Sequence, residues 1–281
     1  MIEGVNSRFR PRAPRIPGAM GVLGVLGIFG VFCVAGMVGF IASPARSEAE
    51  AHTTQPARFS TSDGTLASSW QPLVFPKISR HTEYALVRDP EDSSWVIAAT
   101  SDASASGLTH ATAVDLREHP ILRWRWKVDG VLEKGDARRK DGDDYAARIY
   151  LTFEPGTKDF TFWERTSLTI ARKIYGDFPS RAINYVWASR IEKGATVDSA
   201  YVGKFVKLIA VESGAEFAGQ WRFEERDVFE DYLRLYGADP PKVVGVAIMT
   251  DTDDTKERAR AWYGDIEFVS AGAQDPPGRA R

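Results

Sequence analysis

Thiols are nearly missing: the 281 residues hold a single cysteine, Cys33. It sits in an uncharged stretch near the N-terminus, so everything after Ser43 is free of cysteine. That excludes disulfide staples, a Cys-ligated zinc and a Cys nucleophile from the rest of the chain. Histidine is scarce too. His52, His81, His110 and His119 show no metal-pair spacing, which argues against a His-based zinc site. Neither sign of charge dominates: 36 Lys and Arg face 38 Asp and Glu, with pI about 6.1. No basic stripe for nucleic acid follows from that balance. The G-x-S-x-G elbow, the Gly-rich phosphate loop and the H-E-x-x-H zinc motif are all lacking.

What is present begins with Arg8, Arg10, Arg12 and Arg15 (residues 1–17), followed by an uncharged stretch from Gly18 to Ser43. As a helix this stretch reaches roughly 39 Å, enough for a hydrocarbon core of about 30 Å. The arginines favour the cytoplasmic side, so the remainder is expected on the exported, periplasmic side. The length suits a membrane anchor. Gly21, Gly24, Gly27 and Gly30 weaken a spanning helix, and the small Ser43 and Ala45 suit a signal peptidase. A retained anchor and a cleaved signal both fit. Residues 44–57 read as a linker, 58–270 as one patterned domain, and 271–281 as a tail.

Within the domain, hydrophobicity alternates with period two, the mark of half-buried strands. In Ile121–Val128, Leu122, Trp124, Trp126 and Val128 share one face, and Arg123, Arg125 and Lys127 share the other. In Ala147–Phe153, Ile149, Leu151 and Phe153 oppose Arg148, Tyr150 and Thr152. Further strands are expected at Glu83–Val87, Trp95–Thr100, Ile183–Ala188, Phe205–Val211, Trp221–Glu224, Val243–Thr250 and Trp262–Val269. One amphipathic helix is expected after Asp227, with Glu230 completing a capping box, Gly237 the stop and Pro240-Pro241 barring a restart. Regular βα alternation is lacking, and no internal repeat is visible. The expected fold is mainly β: an antiparallel β-sandwich or jelly roll with one short helix, preceded by the N-terminal hydrophobic helix.

Several segments resemble a bacterial family catalogued as domain of unknown function 3047. They are Ser104-Ala105-Ser106-Gly107-Leu108, Trp124-Arg125-Trp126-Lys127-Val128 and Gly142-Asp143-Asp144-Tyr145-Ala146-Ala147-Arg148. Asn184-Tyr185-Val186-Trp187, Arg226-Asp227-Val228 and Asp231-Tyr232 continue the series. Met249-Thr250-Asp251-Thr252-Asp253 with Thr255, and Tyr263-Gly264-Asp265-Ile266, close it. Asp254 departs from the pattern, which has Asn there. The resemblance implies an exported β-rich domain and no particular activity. The final strand motif is also similar to that of galactose-binding-like jelly rolls, a likeness of fold alone.

Three motifs carry chemistry. The acidic loop Asp251, Asp253 and Asp254 could hold Ca²⁺, which takes six to eight oxygens. It is not an EF-hand, since Lys256 stands at position six and Trp262 at twelve. Its alternative is a polar turn capped by Asp and Thr. Asp141, Asp143 and Asp144 before Arg148, with Arg123 and Arg125 on another strand, form either a structural ion-pair network on one sheet face or a charged groove for a polar ligand, to which Asp251 and Asp253 would add ligand-binding carboxylates. Glu225-Arg226-Asp227-Val228-Phe229-Glu230 has the E-x-D-x-x-E spacing of a jelly-roll glycosidase family, but a capping Asp227 would point the acids apart. The reading is therefore a cell-envelope domain that binds a carbohydrate or polar protein partner without catalysis, the alternative being a glycan-active hydrolase. No cofactor is expected other than Ca²⁺, no nucleic acid, and membrane contact only through the N-terminal segment.

Overall fold

The computed structural model describes residues 57–59, 64–155 and 181–273. The hydrophobic stretch 18–43 lies outside them, and no helix among the described residues is long and apolar enough to cross a membrane.

Thirteen strands and one α-helix are formed among the described residues. In chain order the strands are β1 (Trp70–Leu73), β2 (Glu83–Arg88), β3 (Trp95–Asp102), β4 (Ala105–Val114), β5 (Ile121–Val128), β6 (Ala147–Phe153) and β7 (Ala182–Ala188). Then come β8 (Thr196–Ser199), β9 (Gly203–Ser213), β10 (Arg222–Asp227), β11 (Val243–Asp251), β12 (Arg258–Tyr263) and β13 (Glu267–Val269). A larger sheet runs β1-β4-β11-β6-β7-β9-β8; a smaller one runs β10-β5-β12-β3-β2, with β13 also paired to β5.

The alternation in β5 separates its faces as expected: Leu122, Trp124, Trp126 and Val128 are all buried. They meet the inward face of β7 in the other sheet. Trp124 lies 5.4 Å from Tyr185 and Trp126 lies 6.0 Å from Trp187, ring centre to ring centre. Ile149, Leu151 and Phe153 of β6 and Val246 and Ile248 of β11 extend this aromatic and aliphatic layer between the two sheets.

The larger sheet is covered on its other face as well. Val186, Val206, Leu208 and Ala210 form a second apolar cluster with Tyr145 and Ile191, so β7 is buried along its whole length. Strands buried on both faces read as continuous apolar runs, and such runs permit parallel pairing. That is what occurs: β7 and β9 are parallel, with β8 antiparallel to β9 at the sheet edge. The expected antiparallel arrangement therefore holds for the other pairings and gives way at this one.

Helix α1 (Val228–Tyr236) starts where the sequence places it. Asp227 accepts a hydrogen bond from the Glu230 N–H at 3.0 Å, and Gly237 closes the helix at φ 68°. The helix docks through Tyr232, whose ring lies 4.6 Å from Phe153. It also docks through buried Asp231, held by Arg226, by Arg234 at 2.8 Å and by the Tyr185 hydroxyl at 3.0 Å.

Candidate functional site

The outward residues of β6 and β11 stand next to each other because Arg148 pairs with Met249 in register. Arg148 and Asp251, with side chains 7% and 2% exposed, form an ion pair on this face. Arg148 also donates to the Met249 sulfur at 3.4 Å. The segment after β1 and the β8–β9 turn complete a cleft of about 380 Å³ above the pair. Phe75, Ile78, Tyr150, Tyr201, Val202 and Val206 give it apolar walls. Asp143, Arg148, Asp251, Asp253, Asp254 and Lys77 supply the charge.

The acidic loop is held from behind by buried hydroxyls. Ser101 Oγ lies 2.8 Å from Thr252 Oγ1, the Thr252 N–H donates to the Ser104 carbonyl at 2.9 Å, and the Thr82 hydroxyl donates to the Thr250 carbonyl at 2.7 Å. Across the core, the Tyr263 hydroxyl donates to the Met249 carbonyl at 2.7 Å. These contacts fix the end of β11, and with it Asp251.

The residues before β6 bring further carboxylates. A 3₁₀ turn at Lys140–Gly142 leads into Asp143 and Asp144. The turn needs glycine: a Cβ on Gly142 would meet Asp136 N at 2.8 Å and the Lys134 carbonyl at 2.9 Å. Asp143 accepts from the Tyr145 hydroxyl at 3.0 Å, and Asp144 Oδ2 accepts from the Thr255 N–H at 2.6 Å. Asp144, Asp251 and Asp253 each place a carboxylate oxygen within 4.8 Å of the others. Asp254 instead faces Tyr201, whose hydroxyl lies 2.7 Å and 2.8 Å from its two oxygens. Of the expected trio Asp251, Asp253 and Asp254, the first two thus lie together with Asp144, while Asp254 is turned to Tyr201.

The shared environment shows in the ionisation of these groups. Burial pushes the Asp143 carboxyl up to about 6, against the pull of Arg148. Asp251 is driven well above the usual carboxylate range by burial, again against Arg148, with neighbouring aspartates adding to the rise. Burial and the Asp144 charge raise Asp253, and burial raises Asp254 against its bond from Tyr201.

Arg123 and Arg125 do not join this group. They lie on β5 in the smaller sheet. Arg123 donates to Glu225 at 2.7 Å and to the Ala273 carbonyl at 2.9 Å. Arg125 is paired with Asp92 at 2.9 Å and Asp89 at 3.4 Å and lies over the Trp221 ring. Both are packed rather than solvated. Glu225 and Asp227 of the E-x-D-x-x-E spacing are likewise engaged on the smaller sheet, with Arg123 and with the helix cap. Sequence reasoning missed Tyr150, Tyr201 and the Phe75–Ile78 segment as site residues. The outward position of Tyr150 beside Arg148 was the one available signal.

Residues 68–267 match the family described as "Protein of unknown function (DUF3047)". No curated protein matches the sequence. Among solved structures, the chain is similar to the glycoside hydrolase domain of Endo-D from Streptococcus pneumoniae R6, at 15% identity and TM-score 0.32, over 74% of this chain and 22% of that one. It is also similar to the Emp47p carbohydrate recognition domain, at 11% identity and TM-score 0.40, over 76% of this chain and 94% of that one. A third likeness is to Trichoderma harzianum Endoglucanase 3, at 10% identity and TM-score 0.33, over 73% of this chain and 99% of that one. At such scores these likenesses carry neither ligand nor reaction over to this chain.

Proposed function

The chain belongs to this family of proteins of unknown function, DUF3047, and from its own geometry we propose an exported cell-envelope domain that binds a carbohydrate without turning it over. The observation that carries the reading is the make-up of the cleft on the larger sheet: Tyr150, Tyr201 and Phe75 beside Arg148, Asp143 and Asp253. Sugars offer apolar C–H faces that lie against aromatic rings, and vicinal hydroxyls that match carboxylates and guanidinium forks. Ligand clefts of this kind are largely apolar, with a few convergent polar groups that set orientation. Export rests on the sequence, on the arginines that precede the Gly18–Ser43 stretch.

A glycan-active hydrolase is the second reading, favoured by Asp143 and Asp253 lining one cleft. Binding leads because three of the four acids that line the cleft are occupied: Asp251 by Arg148, Asp143 by the Tyr145 hydroxyl and Asp254 by Tyr201.

The test is retention of the full chain on a glycan array that includes peptidoglycan fragments and acidic oligosaccharides. One glycan class should be retained, and Tyr201→Ala should weaken it about tenfold or more, in keeping with loss of a stacking and hydrogen-bonding partner. Its melting temperature should stay unchanged. No retention, or equal retention of the variant, would overturn the reading; newly formed reducing ends would favour the hydrolase. A reporter active only after export, fused behind Arg281, should be active.

A further inference from the structure

Asp144 is 1% exposed, and its Oδ1 has no hydrogen-bond partner among the described residues. Thr255, whose N–H holds the other Asp144 oxygen, is 3% exposed and also has an unpartnered hydroxyl. Unmatched buried oxygens on two touching residues are unusual, because each forfeits its bonds to water without replacement. Both atoms are acceptors of the type a hard cation seeks.

The charge is unbalanced in the same place. Arg148 is the buried cation here, and it is committed to Asp251. Lys134 and Lys256 reach only the backbone carbonyls of Thr255 and Asp253. Asp144 and Asp253 therefore lack a cationic side-chain partner in the hydrogen bonds and ion pairs among the described residues. Calcium holds oxygens at about 2.3–2.6 Å, so two on opposite sides stand roughly 4.6–5.2 Å apart. The three carboxylate oxygens, all within 4.8 Å of one another, already fit that span.

We propose that Asp144, Asp251 and Asp253 bind a divalent, oxygen-seeking cation of calcium's size beside the cleft, with the Thr255 hydroxyl as a further neutral donor. The site joins the turn before β6 to the end of β11, which are far apart in sequence, so the ion would tie them together. The proposal stands whether or not the cleft takes a sugar.

The experiment uses the full chain, stripped with a chelator and dialysed. Its melting is followed by tryptophan fluorescence with added CaCl₂ or MgCl₂ at constant ionic strength. Calcium should raise the melting temperature saturably, by roughly 5–10 °C at a hundredfold excess over Kd, and chelator should reverse the rise. Asp144→Asn and Asp253→Asn should each abolish it, whereas Asp141→Asn, on an exposed residue, should keep it in full. Should Asp144→Asn fail to fold, half-buried Asp253 carries the test. A wild-type melting temperature indifferent to calcium, or an undiminished rise in Asp253→Asn, would overturn the proposal.

Discussion

Arg148 and Asp251 are each almost fully withdrawn from water, and each depends on the other. Such a pair adds little net stability over a well-packed apolar pair of the same size, but losing one partner strands the other. Arg148→Met should therefore cost about 3–5 kcal/mol, while Arg148→Met with Asp251→Leu should recover most of it. Urea denaturation of both single variants and the double variant checks this; a double-variant loss equal to the sum of the single losses would show that the two residues act independently. Arg125 makes a contrasting case. Its alternation on β5 marked it as outward-facing, which is correct, yet its side chain is 13% exposed and enclosed by Asp89, Asp92 and Trp221. Alternation reports which face a residue is on. It says nothing about which sheet the strand joins, and this is why Arg123 and Arg125 were grouped with Arg148 across two different sheets.

Among the elements, α1 shows how far local sequence reaches. Cap, apolar stripe and stop were all legible because each acts within a few residues of itself. Asp227→Ala should cost about 1 kcal/mol, the usual worth of a side-chain N-cap. Asp231→Ala should cost more, since it leaves Arg226 and Arg234 without their buried carboxylate. Chemical denaturation that ranked the two the other way would show the cap, rather than the Asp231 cluster, anchoring the helix. Strands β5 and β6 were legible for the same reason, as period-two patterns, and β11 as an apolar run. The parallel pairing of β7 with β9 was not, because a strand apolar on both faces carries no mark of its neighbour's direction. Nor was the place of Asp144 in the acidic trio. Asp251 and Asp253 announce themselves as a local cluster, whereas Asp144 reaches them only through the β6–β11 register.

For the molecule as a whole, acidity should act through a second carboxylate pair. Glu212 is buried and held by Lys193 at 2.8 Å and Arg222 at 3.0 Å. Burial, reinforced by the Glu212 charge, pushes Glu224 up to about 7. A carboxyl raised on folding contributes stability that is fully present below its unfolded value, near 4, and lost as pH rises through 7. Glu224→Gln should thus match the wild type near pH 4 and exceed it at pH 8 by about 1–2 kcal/mol, given partial exposure. A difference between the two that stays constant from pH 4 to pH 8, read by urea denaturation, would rule out this role for Glu224.

The position of β11 has a kinetic consequence. This strand, from the last part of the chain, lies between β4 and β6 and is the common neighbour of both. Ala105 meets Asp251 in that pairing, so the contacts that complete the sheet span most of the domain. High contact order of this kind slows folding, and unpaired strand edges invite association between chains. Until residue 251 has been synthesised, nothing can close the gap between β4 and β6. The larger sheet is therefore completed only after most of the domain has been synthesised.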